Sequence, residues 1–479
     1  MSHVESHKVV FKGANFWPML ISFAIGATIW FAPHPTAIDP KAWQLLAIFG
    51  GLIVGLIGKA LPMGGISFIA LALLILTNTL TMKEAFSGFS HPVIWLIVSA
   101  FLISRSIIKT GLGMRLAYLF VGLLGKKTLG LGYGICATEL LLAPAIPSST
   151  ARAGGVIFPI VKALALNFGS DPARHSQRLI GSFLMLVAYY SNNICSAMFI
   201  TAIAVNPLIV SILAENGMPI TWGEWTLAAL LPAILSLIIV PYVVYRLYPP
   251  EIKDTPGARA LADRHLAEMG SISRYEWITL AVFALLIVLW IFGERYLAMD
   301  STAVALLGVS ILLITGVLNW DDIKREYEAW DTLIWFSTLM MIATYLNQLG
   351  LIGWMSQQVQ ASMIGISWQV VWGMLTLAYF YSHYLFASNT PHVTSMYAAF
   401  LSVGLALGVP PYLMALSLAY SSSLFACLTH YGTGCAPIFF GAEYVNIKTW
   451  WSMGAIISAI FVFLWLCIGP LWWKLLGFW

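Results

Sequence analysis

Apolar residues run along this chain in long stretches broken by short polar knots. The stretches mark candidate spans at residues 15–32, 42–58, 63–80, 92–121, 179–213, 225–248, 275–293, 301–318, 332–350, 411–442 and 450–473. Two further pairs of apolar arms, 130–146 with 151–168 and 367–386 with 391–407, turn back at a polar tip. These read as re-entrant hairpins. A spanning helix needs about 20 apolar residues, so the pattern predicts an all-α polytopic membrane protein with about eleven transmembrane helices plus the two hairpins.

Composition sharpens this reading. The chain is 60% hydrophobic and 9% charged, with a mean hydropathy of +0.85, whereas about a quarter of the residues in soluble domains are charged. The net charge of +4 is carried by scattered Lys and Arg without a basic run, which argues against a nucleic-acid partner. Cys136, Cys195, Cys427, Cys435 and Cys467 lie in apolar segments without a CxxC. They read as small packing residues, neither a disulfide framework nor a zinc site. No cofactor and no metal are called for. No cleavage signal follows "MSHVESHKVVFKG", so the first apolar stretch is expected to remain as a helix.

Lys and Arg in short loops set the orientation. With the N-terminus inside, most of them, from Lys8 and Lys12 through Lys126, Lys127, Arg174 and Arg178 to Lys448, fall on the cytoplasmic side. Only Lys41, Lys83, Arg295 and Lys474 fall on the other. The first hairpin then enters from the cytoplasm and the second from outside, and the charged cytoplasmic loop 249–274 divides the chain.

The two halves repeat. "VIWLIVSAFLIS" from Val93 parallels "LIWFSTLMMIAT" from Leu333, an offset of 240 that also superposes Ser148 on Ser388 and Thr150 on Thr390. "YSNNICSAMF" at Tyr190 parallels "YSSSLFACLT" at Tyr420, and Pro207 parallels Pro437, both at an offset of 230. Equivalent segments lie an odd number of spans apart and so run in opposite directions, an inverted repeat of the kind secondary transporters use.

Irregular backbone at membrane depth is tolerated only where protein buries it or it lines a wet cavity. In "PSSTARAGG" Thr150 is placed to cap a helix beginning at Ala151, and in "ASNTPHVTS" Thr390 to cap one with Pro391 at its first position. Both half-helices would aim free N–H groups and a positive dipole end at the midplane, which suits an anion. Two residues past each threonine stand Arg152 and His392. A cation in a first turn is disfavoured by about 0.3–1 kcal/mol. A multivalent anion shared by the tips would explain both; the alternatives are a structurally paired arginine and a neutral packing histidine. The polar stretches "YYSNNICS" and "THYGTGCAP" read as broken helices that bring Asn192, Asn193, Thr429 and Thr433 toward the same cavity, or as kinks without ligand contact.

Paired Ser-x-Thr tips on inverted hairpins resemble the divalent anion/sodium symporter family, and "PSSTARAGGVIFPI" with "HYLFASNTPH" resembles its di- and tricarboxylate exchanger branch. The resemblance spans almost the whole chain. It implies a homodimer in the bacterial inner membrane that works by an elevator movement. First scaffold helices would lie in 1–121, the first hairpin and transport helices in 122–248, the cytoplasmic loop in 249–274, second scaffold helices in 275–350, and the second hairpin and transport helices in 351–479. It further implies that Ser148, Thr150, Ser388, Asn389 and Thr390 hold substrate carboxylates, and Ser149, between the first two, is a further candidate for the site. The asparagine that helps coordinate sodium in the symporters is absent from Ser148-Ser149-Thr150. Arg152 and His392 would then stand in for coupling ions and favour exchange, although Asn389 leaves sodium symport open at the second tip. An enzyme is disfavoured, because His383, His392 and His430 have few carboxylates near them in sequence and form no nucleophile-base or metal array.

Overall fold

The computed structural model describes residues 13–362 and 365–479. Lys8 and Lys12, counted above among the cytoplasmic cations, lie outside them. Among the described residues the chain is helical throughout, with no strand beyond an isolated bridge between Lys127 and Asp254. Among the described residues seven helices are long and apolar enough to cross a membrane, including Pro40–Ile57, Pro92–Thr110, Trp222–Leu247 and Arg274–Gly293. Shorter apolar helices, such as Phe16–Phe31, Met63–Leu76 and Ser301–Ile314, account for further expected spans.

Two segments depart from the sequence reading. The run 92–121 is two helices, Pro92–Thr110 and Leu112–Leu124, separated by Gly111 at φ +79°. Only glycine takes that left-handed turn without a steric penalty, so the chain changes direction there. The charged loop 249–274 contains a helix, Gly257–Met269, whose C-terminal end is held by Arg115: its Nη1 donates to the Gly270 carbonyl at 2.9 Å.

Contacts divide the chain into two compact units. One runs to Phe89 and takes in Ile334–Leu351. Its helices Phe16–Phe31 and Pro40–Ile57 approach through small residues: a Cβ on Gly26 would lie 3.2 Å from the Ala47 carbonyl oxygen, and Ser22 Oγ donates to the Gly51 carbonyl at 2.6 Å. Close approach of this kind supplies the dispersion contacts that hold helices together in lipid.

The other unit, Ser90–Leu333 with Ile352–Trp479, contains both expected hairpins. The first pairs Thr128–Leu142 with an arm formed by Ser149–Arg152, a π turn Ala153–Ile157 and Phe158–Asn167. Pro159 has no N–H to give to the carbonyl four residues back, and the wider π turn lies just before it. The second hairpin pairs Trp368–Tyr381 and a 3-10 turn Ser382–Leu385 with Asn389–Ala406. Broken helices follow each: Gly181–Met198 with Val205–Glu215, and Pro411–Leu424 with Ala436–Phe440. Every residue of Gly181–Met198 is buried, so this broken helix is core, and the first hairpin tip rests on it.

Candidate functional site

At the first tip the helix starts two residues earlier than expected. Ser148 is the cap, its Oγ accepting from the Ala151 N–H at 3.1 Å, and Ser149 is the first helical residue. Thr150 is therefore not the cap, and its hydroxyl is left for other contacts. Exposure alternates along the tip: Ser149 is buried, while Ser148 and Thr150 are only partly covered. Thr150 faces Gly434, where a Cβ would lie 2.4 Å from its Oγ1.

Arg152 faces a carboxylate of its own chain. Its side chain is fully buried, and Nε donates to Glu139 Oε2 at 3.0 Å. Nη1 donates to the carbonyls of Ile146 at 2.7 Å and Ala202 at 2.6 Å, and Nη2 to Ser196 Oγ at 2.7 Å. Glu139 also accepts from Asn192 Nδ2 at 2.9 Å, and the same amide reaches the Ser149 carbonyl at 3.2 Å. The carboxylate thus answers the question that a first-turn cation poses. It balances the guanidinium, which ties both hairpin arms to the first broken helix. Of the readings open for Arg152, the structure shows the structurally paired arginine rather than direct contact with a shared anion.

The second tip likewise begins early. The helix starts at Asn389, after Ser388, so Thr390 is not the cap and Pro391 is its third residue. Ser388 makes no side-chain cap bond. Asn389 Nδ2 donates to the Ser422 carbonyl at 2.9 Å, fixing the tip on the second broken helix. Ser388 and Thr390 are partly covered and Asn389 is buried, the same alternation as at the first tip.

His392 is a packed ring. It is fully buried, stacked on Phe386 at 4.5 Å and on Phe425 at 4.5 Å. Its Nδ1 lies 3.0 Å from His383 Nδ1 and its Nε2 lies 3.1 Å from Ser382 Oγ. The expected direct meeting of this ring with an anion is replaced by a pairing with His383.

One loop joins the two tips. In the stretch 429–435, Gly434 lies against Thr150 of the first, and a Cβ on Gly432 would lie 2.8 Å from His383 Nε2 of the second. Cys435 Sγ reaches Asn192 Oδ1 at 3.4 Å. Thr433 and Asn193 are buried. Asn193 Nδ2, Asn389 Oδ1, Ser423 Oγ and Thr429 Oγ1 are buried without a hydrogen-bond partner. Native proteins satisfy nearly all such atoms; unpartnered buried atoms also occur away from the tips, among them Ser67 Oγ and Trp450 Nε1. Hydroxyls, amides and helix N-terminal N–H groups suit holding an anion.

Sequence reasoning placed the tips and missed what lies beneath them. Glu139 was legible as a carboxylate inside the apolar arm "GICATELLL", where an ionisable residue is expected to have a partner. His383 was noted without its role, because nothing in sequence spacing shows that it meets His392.

Comparison with known proteins gives a consistent result. The sodium:sulfate symporter transmembrane region matches residues 13–479. A Bacillus subtilis (strain 168) protein, YflS, whose name assigns it provisionally to malate transport, is 52% identical, over 96% of this chain and 97% of its own. Chloroplastic dicarboxylate transporter 1 of Arabidopsis thaliana is 48% identical over 98% of this chain and 85% of its own. The citrate/succinate antiporter of Escherichia coli (strain K12) is 34% identical over 97% and 99%. The crystal structure of the Alcanivorax borkumensis YdaH transporter shares the fold at a TM-score of 0.54 and 12% identity, covering 96% of this chain and 97% of that one.

Proposed function

We propose, for a chain that belongs to the divalent anion/sodium symporter family, that it exchanges di- or tricarboxylates such as succinate, malate, 2-oxoglutarate or citrate across the bacterial inner membrane. Relatives named for dicarboxylate transport and citrate/succinate antiport support the substrate class. In this reading Ser148, Thr150, Ser388 and Thr390 bind carboxylate oxygens from the two tips. Ser149, Asn389, Asn193 and Thr433 shape the floor beneath. Arg152 and His392 act from below the tips.

The observation that carries exchange over symport is the Arg152 guanidinium. It donates to Ile146 O, Ala202 O and Ser196 Oγ, and tip and broken-helix oxygens of this kind hold coupling cations in secondary transporters. A tethered guanidinium orders those oxygens permanently and cannot dissociate. The tip is then preorganised without sodium, and two positive helix ends would have to cross hydrocarbon unaccompanied unless a carboxylate travels with them. The repeat of hairpin and broken helix fits an inverted-repeat elevator, and we extend the proposal to that movement and to a homodimer. Titration calorimetry of succinate into the purified protein tests the preorganised tip. The same Kd is expected in sodium chloride and in choline chloride; binding that requires sodium would refute it.

A further inference from the structure

The two buried histidines of the second hairpin share hydrogen-bond contacts that couple the hydrogen positions on one ring to those on the other. His383 Nε2 lies 2.7 Å from the Gly432 carbonyl, an acceptor, so this nitrogen carries a hydrogen. Ser382 Oγ donates to the Tyr379 carbonyl at 2.9 Å. Its oxygen is then left to accept from His392 Nε2 at 3.1 Å, so that nitrogen carries a hydrogen as well. Two neutral rings so arranged would point bare Nδ1 lone pairs at each other across 3.0 Å. One added proton turns that repulsion into a charge-assisted N–H···N bond.

A second arrangement satisfies every ring nitrogen with one proton fewer. The Ser382 hydroxyl turns its hydrogen from Tyr379 O to His392 Nε2, His392 carries its hydrogen on Nδ1, and Nδ1 donates to His383. The change requires one hydroxyl rotation and no movement of a ring. We propose that His383 and His392 form a single proton-binding site, taking up one proton between their Nδ1 atoms with the Ser382 hydroxyl as the switch.

The surroundings leave this pair to titrate alone. Phe386 and Phe425 stack on His392, and Phe425 stacks on His383 at 3.8 Å. Tyr379 lies 4.7 Å from the His392 ring, with Tyr397 behind it. Tyr381, Tyr384, Tyr420, Cys427 and Tyr431 complete the titratable groups on the neighbouring elements, together with His430. The last accepts from Trp451 Nε1 at 3.1 Å and packs against Phe440. Among the described residues no Asp, Glu, Lys or Arg acts on either ring. A lone imidazole in that enclosure has no second acceptor to share a proton with. If the carboxylate reading of the tip holds, this proton is the variable charge beside Thr390.

Proton-uptake titration of the purified full-length protein, from about pH 8 down to the lowest pH at which it stays folded, tests the proposal without any substrate, so its outcome is separate from that of the carboxylate reading. Wild type is expected to bind one proton more than His383→Asn, than His392→Asn and than the double variant, with those three alike. Two protons lost in the double variant and one in each single would mean independent rings. A wild-type count in His383→Asn would place the proton on His392 alone, and equal counts in all four proteins would mean no proton site. Each of these overturns the proposal. Ser382→Ala keeps both rings and guards against misfolding of the histidine variants. It removes the acceptor of the protonated form, so uptake should remain one proton and move about one pH unit lower. An unmoved transition overturns the switch.

Discussion

Arg152 and Glu139 are each expected to matter more to folding than to affinity. Replacing either alone leaves the other charge buried and unpaired, at a cost of about 3–5 kcal/mol. Arg152→Gln and Glu139→Gln should therefore both lower the thermal unfolding temperature in detergent, while Arg152→Met with Glu139→Met should be milder than the singles' sum because the pair acts as a unit. An Arg152→Gln protein with wild-type stability and weakened succinate binding would instead put the guanidinium at the substrate. The tip hydroxyls should behave in the opposite way. Thr150 and Thr390 are not caps, so alanine at either should weaken succinate binding in calorimetry with little change in stability. Ser148→Ala should do both, since a lost cap costs about 0.5–2 kcal/mol. At this scale the sequence showed which residue types stand at the tips. It did not show which way each points, because a two-residue shift in the helix start exchanges the cap for the free hydroxyl.

The loop 429–435 is the element on which both tips depend, and its glycines are set by contact rather than by backbone freedom. A Cβ at Gly434 would meet Thr150 Oγ1 at 2.4 Å. Gly434→Ala should push the first tip off the loop, at the cost of about 1–3 kcal/mol typical of overpacking, and abolish exchange. Adding Thr150→Ala should restore stability without restoring transport, read by thermal unfolding beside vesicle flux. A Gly434→Ala protein of wild-type stability and flux would show that the tip and loop need not touch. Away from the site, Arg115 joins Leu112–Leu124 to Gly257–Met269 and pairs with buried Glu276. Arg115→Gln should speed hydrogen exchange across 257–270 and leave the hairpins unaffected. Elements of this chain were legible where an apolar run met a polar tip, as in both hairpins and both broken helices. They were not legible where an apolar run bends without a polar interruption, as at Gly111, because both sides of the break remain equally apolar. The helix within 249–274 was hidden for the converse reason, since charge in a loop and charge on a surface helix look alike in sequence.

For the whole molecule, the repeated order of hairpin and broken helix in Ser90–Leu333 with Ile352–Trp479 places two helix N-termini on one loop, with a fixed guanidinium beneath one and a histidine pair beneath the other. Periodicity and offset alone disclosed that repeat, whereas the buried pairings beneath it depended on folding. The central claim is that this arrangement moves a carboxylate only in return for another. Flux of radiolabelled succinate into proteoliposomes, preloaded with unlabelled succinate or empty, in sodium or in choline, measures it directly. Uptake should occur only into preloaded vesicles and be the same in both cations. Strong sodium-driven uptake into empty vesicles would contradict the account.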